Sequence, residues 1–299
     1  PARLELAAME TVRIGCVKFL NTLPLVQGLG AWREAELSAA VPAKLIGMLM
    51  SGQVDVALCS LIDYARAQEM SGGGDGVRLL PVGMIGCDGP TMTVRVYSAV
   101  PPEQITTLHA DTDSHSSVVL AQVVLWRRYG VRVRVVDFDA RERVEVGSGA
   151  ERRVTQNEWP QTLLLIGDKV VTDAPPPGMY AHEIDLGEAW KELTGLPFMY
   201  ATWMCRAAAL EDEGSTRRVR TAAAVLDRAL RHNTTRADWL VAAEAPARGW
   251  PRDVATHYFR DCLRHEVGER ERQAAQRFLN EAAELGVCPR AEARWVEIG

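Results

Sequence analysis

The chain has 299 residues and a formal net charge of −5; 47% of its residues are apolar and 24% are charged. This length suits two globular domains of about 100–200 residues each. The negative charge argues against a nucleic-acid partner, and no apolar stretch approaches the ~20 residues of a membrane span, so we expect neither nucleic acid nor membrane as a partner.

The cysteines and the first residues bear on the compartment. Six cysteines are spread along the chain, with no Cys-x-x-Cys pair and no histidine partner at zinc spacing. They predict reduced structural thiols and no metal site. Residues 1–10 carry Arg3, Glu5 and Glu10 and lack the apolar core of a secretion signal. We therefore expect a cytoplasmic protein.

In the first half of the chain, apolar runs of strand length alternate with segments of helical spacing. The predicted elements are a strand over 12–19, a helix over 42–51, a strand over 54–59, a helix over 61–70 and a strand over 91–98. The run 54–59 is apolar almost throughout, as in strands that are buried on both faces of a parallel sheet. Pro101 and Pro102 end the last strand sharply, and we place the first lobe boundary there.

The second half contains fewer strands and ends in helices. The predicted elements are a helix over 114–129, strands over 131–135, 163–166 and 198–204, and helices over 215–232, 252–265 and 269–285. We expect an α/β protein with two lobes, 12–98 plus 198–299 with the C-terminal helices, and 99–197. Because strand carboxyl ends and helix N-termini converge between such lobes, the ligand is expected in the cleft between them.

The start of the helix over 114–129 is the first candidate for a ligand site. Its first turn contains Ser114, His115, Ser116 and Ser117. Serine hydroxyls, free backbone N–H groups and the positive end of the helix dipole together form an anion site. One capping serine with its neighbours in solvent explains the same residues, and a lone histidine there is most often a cap or a surface group. Both interpretations stay open.

Two further polar segments lie beside predicted strands. Asn21 and Thr22 follow the first strand and present an amide and a hydroxyl at its end, although an ordinary turn explains them as well. After the turn at 88–90, strand alternation places Thr91 and Thr93 on one face, where they either cap a sheet edge or face a ligand.

The motifs offer little acid–base chemistry. The chain has no glycine-rich dinucleotide or phosphate loop, no Gly-x-Ser-x-Gly and no His-Glu-x-x-His. Asp55 and Asp168 follow or flank strands, but neither has a second carboxylate at a recognisable spacing. If the protein is an enzyme, we expect hydrogen bonds and dipoles to carry its chemistry more than strong acids or bases.

Six segments, in this order, resemble the chorismate dehydratase family of the futalosine route to menaquinone. They are 13–25 with Phe19-Leu-Asn-Thr-Leu-Pro-Leu25, 52–57, 86–90 with Gly86-Cys-Asp-Gly-Pro90, 114–118, 164–168 and 185–198. The resemblance implies the type II periplasmic-binding-protein fold. It also implies a carbon–oxygen lyase that removes water from chorismate to give 3-[(1-carboxyvinyl)oxy]benzoate, without a cofactor or a metal.

The resemblance further implies which residues act. It places an active-site asparagine at Asn21 and an active-site hydroxyl at Thr93, where family members carry serine. The family's Ser-Arg-Thr-Ser motif falls on 114–117, so its arginine is replaced by His115. A histidine in place of a permanent cation makes carboxylate binding sensitive to pH.

These assignments lead to a hypothesis for the mechanism. Asn21 and Thr93 position chorismate and stabilise its departing hydroxyl. The ring proton goes to the substrate's own enolpyruvyl carboxylate, with His115 or Asp168 as the rival base. Further substrate contacts are expected from Thr22, Thr91, Ser114, His115, Ser116, Ser117 and Asp168.

Two alternatives stay open. One is the sister enzyme of the same pathway, which makes 1,4-dihydroxy-6-naphthoate on the same fold. The other is a non-catalytic protein that binds a small anion, since fold does not fix function, although such a protein normally carries a secretion or lipid-anchor signal. The sequence predicts no particular oligomeric state.

Overall fold

The computed structural model describes residues 11–72, 76–111, 113–140, 144–146, 153–155 and 159–297. Its strands are β1 (Val12–Cys16), β2 (Ala35–Ala39), β3 (Val56–Ser60), β4 (Val77–Cys87), β5 (Val94–Ser98), β6 (Thr107–Ala110), β7 (Arg134–Asp137), β8 (Val144–Val146), β9 (Arg153–Thr155), β10 (Thr162–Ile166), β11 (His182–Asp185), β12 (Phe198–Arg206) and β13 (Leu263–Arg264). Its helices are α1 (Leu23–Val26), α2 (Pro42–Met50), α3 (Leu61–Met70), α4 (His115–Tyr129), α5 (Lys169–Thr172), α6 (Leu186–Thr194), α7 (Glu213–Thr234), α8 (Ala237–Glu244), α9 (Arg252–His257) and α10 (Glu269–Leu285).

The segment 1–10, from which we expect no secretion signal, lies outside the described residues. Among the residues that are described, none of the helices combines the length and the apolar character needed to cross a membrane.

Two mixed sheets form the two lobes. The first has the strand order β13-β4-β12-β3-β1-β2 and the second has the order β11-β5-β10-β6-β7. In the first sheet β1 runs parallel to β2 and β3, whereas β12 lies antiparallel between β3 and β4. Strand β12 is therefore the segment with which the chain returns from the second lobe and completes the first. The predicted two-lobed α/β architecture is confirmed.

The first crossing between the lobes lies earlier than predicted. Strand β5 pairs antiparallel with β10, with Val94 opposite Ile166, and it also pairs with β11. The crossing therefore falls between the end of β4 at Cys87 and the start of β5 at Val94, and the boundary placed after residue 98 is wrong. The proline pair does end β5, but the end of a strand does not reveal to which sheet the strand belongs.

Helices with clear end signals lie within two residues of their predicted bounds, as in α2, α3, α4, α7 and α10. In α4, the Ser114 side chain caps the first turn, and Gly130 ends the helix in the left-handed conformation at φ 73°. The helix predicted over 252–265 is shorter. It ends at His257 and continues as a wider π-helical turn, Tyr258–Cys262, before β13.

Helix α4 packs against elements of both lobes. This helix packs on α3 and α10 of the first lobe and on α6. Edge-to-face aromatic contacts join the same neighbours, since Phe198 of β12 lies 5.4 Å from Trp190 of α6 and 4.9 Å from Phe278 of α10, measured between ring centroids. One apolar core thus continues from the first lobe into the second.

Candidate functional site

A cleft of about 800 Å³, part of which is open to solvent, lies between the two sheets. Its walls come from the carboxyl end of β1, the crossing from β4 to β5, the start of α4, the turn after β10 and the π-helical turn. The predicted site residues that line it are Asn21, Thr91, Thr93, Ser114, Ser117 and Asp168.

Asn21 lies in a short 3-10 helical turn, Leu20–Thr22, directly after β1. Its backbone oxygen accepts a hydrogen bond from Nε2 of His265 at 3.1 Å, and its side-chain Nδ2 lies 3.5 Å from the Tyr258 hydroxyl. The Oδ1 atom of Asn21 is buried and has no hydrogen-bond partner among the described residues. A buried acceptor without a partner costs about 1–3 kcal/mol, so this oxygen favours a ligand that donates a hydrogen bond.

The backbone that presents Thr93 is held from two sides. The carboxylate of Asp185 accepts from the N–H of Met92 at 2.7 Å and from the N–H of the preceding residue at 2.9 Å. These bonds hold Met92 at φ 62°, a left-handed conformation that is rare outside glycine. The backbone N–H of Gly167 donates to the backbone oxygen of Thr93 at 2.7 Å. The Thr93 side chain is buried, with Oγ1 3.0 Å from the Tyr258 hydroxyl.

The same Asp185 carboxylate also caps α6. It accepts from the N–H groups of Gly187 and Glu188 at 3.0 and 3.1 Å. A Cβ at Gly187 would lie 2.5 Å from the backbone oxygen of Gly89, so glycine is required for this close approach. The segment that resembles the family at 185–198 therefore supports the loop that carries Thr93.

The polar side chains in the first turn of α4 face two different sides, the cleft and helix α3. Ser114 accepts from the backbone N–H and the hydroxyl of Ser117, at 3.3 and 3.0 Å, and both serines line the cleft. Ser116 is fully buried, and its hydroxyl accepts from the N–H of Ile62 at the start of α3, at 3.1 Å. Adjacent residues of a helix face different sides, so only part of the serine cluster reaches the cleft.

Three residues predicted to bind substrate do not line the cleft: Thr22, His115 and Ser116. The Nδ1 of His115 donates to Asp63 of α3 at 2.8 Å. The Thr22 hydroxyl is buried and donates to the backbone oxygen of Phe19 at 2.7 Å. These side chains, like Ser116, stabilise the turns and helix ends around the cleft, and we correct their assignment accordingly.

Lys169 also lines the cleft, although it was not among the predicted site residues. Its Nζ lies 2.9 Å from Asp111 and 2.9 Å from Asp113, and the residue is 5% exposed. Burial opposes its charge, but the two carboxylates outweigh burial and raise the pKa of Lys169, which therefore stays an ammonium ion. Its position next to Asp168, after a buried strand, was the only signal in the sequence.

Two aromatic residues of the C-terminal region complete the site. Tyr258 begins the π-helical turn, and its ring stacks on Trp250 with centroids 5.3 Å apart and planes 20° apart. The indole Nε1 of Trp250 donates to Asp168 at 3.1 Å. Burial raises the pKa of the Tyr258 phenol, so the hydroxyl is neutral. The predicted helix over this region gave no sign that Tyr258 faces the cleft.

The cleft therefore has two chemically different ends. The neutral end comprises Asn21, Thr93 and Tyr258, which offer an amide and two hydroxyls. The charged end comprises Ser114, Ser117 and Lys169, which offer hydroxyls, a helix start and an ammonium ion to an anion. Within the part of the chain that the structure describes, no group of three or more His, Cys, Asp or Glu side chains is placed to hold a metal ion.

The strand order and the cleft between lobes define a class of protein that solved structures share. Protein AF1704 from Archaeoglobus fulgidus is 16% identical with a TM-score of 0.60, and the alignment covers 93% of this chain and 98% of that one. The periplasmic aliphatic sulphonate binding protein of Escherichia coli is 17% identical with a TM-score of 0.59, covering 95% of each chain. The ligand-binding component of an ABC-type import system from Staphylococcus aureus is 10% identical with a TM-score of 0.61, covering 96% of each chain. The chain has the periplasmic-binding-protein fold.

Sequence comparison narrows this class to one family. Residues 12–284 match the family model described as menaquinone biosynthesis, and the chain belongs to this family. It is also similar to the chorismate dehydratase of Thermus thermophilus, with 25% identity over 212 residues that cover 66% of this chain and 71% of that protein.

Proposed function

We propose that the protein is a chorismate dehydratase, a carbon–oxygen lyase that forms 3-[(1-carboxyvinyl)oxy]benzoate and water from chorismate in the futalosine route to menaquinone. Membership of the family and the similarity to the Thermus enzyme support this proposal. The observation that carries it is the convergence of Asn21 and Thr93 on one point of the cleft. Both lie within 3.5 Å of the Tyr258 hydroxyl, although they come from different parts of the fold.

The proposed reaction needs positioned groups more than strong acids or bases. A ring C–H bond breaks and its electron pair forms a π bond of the new aromatic ring. The C–O bond to the hydroxyl breaks as well, and the ring proton, taken up first by the base, passes to the departing hydroxide to form water. Because aromatisation is strongly favourable, the protein needs mainly to orient the reacting groups. Fixed amide and hydroxyl dipoles do this without reorganising during the reaction.

The charged end of the cleft suits one of the two carboxylates of chorismate. The start of α4 offers N–H groups and the Ser114 and Ser117 hydroxyls, and Lys169 adds a positive charge. Lys169 already has three carboxylate partners, Asp111 and Asp113 at 2.9 Å and Asp139 at 3.8 Å, and of the two nearer ones Asp113 is the more exposed. An entering carboxylate would therefore share the ammonium ion with Asp113. Such local attraction is needed because the whole chain is negative.

The contacts around the acidic groups favour the substrate as its own base. The carboxylates in the cleft wall belong to Asp113 and Asp168, and they are engaged with Lys169 and Trp250 respectively. His115, the other candidate base, is bonded outside the wall. The enolpyruvyl carboxylate is thus the proposed proton acceptor, with Asp168 as the rival. If Asp168→Asn binds chorismate normally but loses turnover by more than ~10³-fold, Asp168 is the base.

A chromatographic assay with pure, folded protein and chorismate tests the function. The expected result is the loss of chorismate with the appearance of an equal amount of 3-[(1-carboxyvinyl)oxy]benzoate. Binding of chorismate without any product would instead identify an anion-binding protein. Formation of 1,4-dihydroxy-6-naphthoate from the pathway's later intermediates, with chorismate left intact, would identify the sister enzyme.

A further inference from the structure

The hydrogen bonds at the neutral end run in one direction. The Nδ2 group of Asn21 can only donate, so the Tyr258 oxygen, 3.5 Å away, is the acceptor. A phenol hydroxyl has a single proton, and Oγ1 of Thr93 lies 3.0 Å from the same oxygen. Either hydroxyl could donate in that pair, and the arrangement that lets the phenol both accept and donate directs the Tyr258 proton to the Thr93 oxygen.

The direction of these hydrogen bonds determines whether Asn21 and Thr93 offer a donor or an acceptor to a ligand. Because Thr93 accepts from Tyr258, its own proton points elsewhere, and its further neighbour among the described residues is the backbone oxygen of Thr91 at a long 3.4 Å. Asn21 donates a hydrogen bond to Tyr258 through Nδ2, and its Oδ1 atom is buried without a partner among those residues. The neutral end thus offers one acceptor and one donor, on two residues that both contact the Tyr258 oxygen.

We propose that Tyr258 is a positioning residue that fixes this polarity for the departing hydroxyl of the substrate. Asn21 Oδ1 then accepts the proton of that hydroxyl in a hydrogen bond, and Thr93 donates its proton to the oxygen of the same group. A hydroxyl is the ligand group that satisfies both, since it donates once and accepts as well. The inference deepens the proposed dehydration and rests on it for the identity of the hydroxyl.

The role assigned to Tyr258 is orientation and not proton transfer. The buried phenol resists ionisation because burial raises its pKa, so Tyr258 and Thr93 keep their protons throughout. The water that leaves is made of the substrate's hydroxyl and its ring proton. The position of the phenol is set by its stacking on Trp250, which in turn donates a hydrogen bond to Asp168 of the second lobe.

The kinetic test compares Tyr258→Phe with a matched control. Tyr258→Phe keeps the ring and is expected to lower kcat about 10- to 100-fold, with KM within about threefold of the wild type and an unchanged pH profile. The control is Tyr64→Phe, which removes a buried hydroxyl bonded to the backbone of Glu292 and Arg294, at 2.6 and 3.0 Å. The control should lower Tm and leave kcat unchanged. A kcat for Tyr258→Phe within twofold of the wild type would overturn the proposal.

A double variant asks whether Tyr258 acts through Thr93. Thr93→Val removes the hydroxyl that Tyr258 orients. The loss for Tyr258→Phe combined with Thr93→Val should therefore be smaller than the product of the two single losses, and what Tyr258→Phe still adds reflects its bond to Asn21. Losses that multiply would show two independent effects and contradict the proposal.

A measurement on the ligand-free protein separates this inference from the proposed function. In protein with ¹⁵N-labelled asparagine, the side-chain amide of Asn21, assigned from Asn21→Asp, should have one proton that exchanges slowly. Tyr258→Phe should speed this exchange about tenfold or more, whereas Tyr64→Phe should not. If the Asn21 amide proton exchanges at the same rate in Tyr258→Phe and in the wild type, the proposed direction of the hydrogen bonds is wrong, even if the protein turns over chorismate. Faster exchange in Tyr258→Phe, together with a wild type that does not turn over chorismate, supports the polarity and rejects the proposed function.

Discussion

The two ends of the cleft are assembled in different ways. The charged end, Ser114, Ser117 and Lys169, is built from α4 and α5, which follow strands β6 and β10 of the second sheet. The neutral end joins Asn21 after β1 to Tyr258 near the C-terminus and to Thr93 on the crossing between the lobes. If the charged end binds the substrate carboxylate as proposed, it does so with residues of one lobe, whereas Asn21, Thr93 and Tyr258 meet only where the two lobes come together. Changes at the neutral end should therefore lower kcat, and changes at the charged end should raise KM or reduce stability.

The largest effect is expected at Thr93. Thr93→Val keeps the shape of the side chain but removes the hydroxyl, and we expect kcat for chorismate to fall about 10³-fold, with KM little changed. Thr93→Ser is the control, because it keeps the hydroxyl, and should stay within about tenfold of the wild type. Equal activity of the valine and serine variants in a steady-state assay would remove Thr93 from the mechanism.

The charged end is expected to contribute more to stability than to the chemical step. Lys169→Met leaves Asp111 and Asp113 without their ammonium partner, and Asp111 is almost fully buried. We expect the free energy of unfolding in urea at pH 7 to fall by about 3–5 kcal/mol. The control is Lys191→Met, which breaks a partly exposed pair with Asp88 and should cost at most about 1 kcal/mol. Equal losses in both variants would contradict the description of Lys169.

His265, whose ring supports Asn21, should make the neutral end sensitive to acid. Burial lowers the pKa of His265 to about 4 from the ordinary 6.5, so the folded ring stays neutral while the unfolded chain takes up a proton. The free energy of unfolding should therefore fall by about 2–3 kcal/mol as pH drops from 6.5 to 4, from this residue alone, and this contribution should level off below pH 4.

The check for this acid sensitivity is urea unfolding across that pH range in the wild type and in His265→Gln. Glutamine offers a neutral N–H for the Asn21 oxygen and cannot titrate, so its curve should be flatter by the stated amount. Parallel curves for the two proteins would assign the acid sensitivity to other groups.

The smallest expected effect is a change in KM that distinguishes Ser117 from Ser116, two serines in the first turn of α4. Ser117 lines the cleft, so Ser117→Ala should raise KM for chorismate about tenfold through the loss of one hydrogen bond to a charged group. Ser116 faces α3, and Ser116→Ala should lower Tm while leaving KM unchanged. A larger increase of KM in Ser116→Ala than in Ser117→Ala would contradict the assignment of Ser117 to the cleft and Ser116 to α3.

The elements of the fold were predictable where the residues that begin and end them lie within the same short segment of sequence. Helix α4 begins with a serine cap and ends with a glycine, and both are visible in the sequence. Strand β4 was missed because Pro81 and Gly83 interrupt its apolar pattern, which normally argues against a strand. In the structure β4 pairs with β12 through shifts of register, and Gly83 takes a φ of 137° that other residues rarely adopt. Only the neighbouring strand determines whether such a segment can pair.

The candidate site was likewise predictable only where its signals are local. Asn21 and Thr93 each follow a strand or a turn, where side chains are free to face a ligand, and the resemblance to the family singled them out. Tyr258 lies 165 positions from Thr93, and no local pattern indicates that the two hydroxyls meet. The direction of the Ser116 side chain depends on Ile62 of α3, which lies 54 positions earlier in the chain. Such pairings depend on the tertiary structure, which the order of residues does not display.

The division between the two ends is tested most directly by a single-turnover experiment with Asn21→Ala. Chorismate is mixed with an excess of the variant, binding is measured by titration calorimetry, and product is measured by quenching and chromatography. We predict binding within about threefold of the wild type and product formation slowed by about 10³-fold, since the charged end is intact and the neutral end is not. Product formation within tenfold of the wild-type rate, or loss of chorismate binding at unchanged stability, would contradict this account.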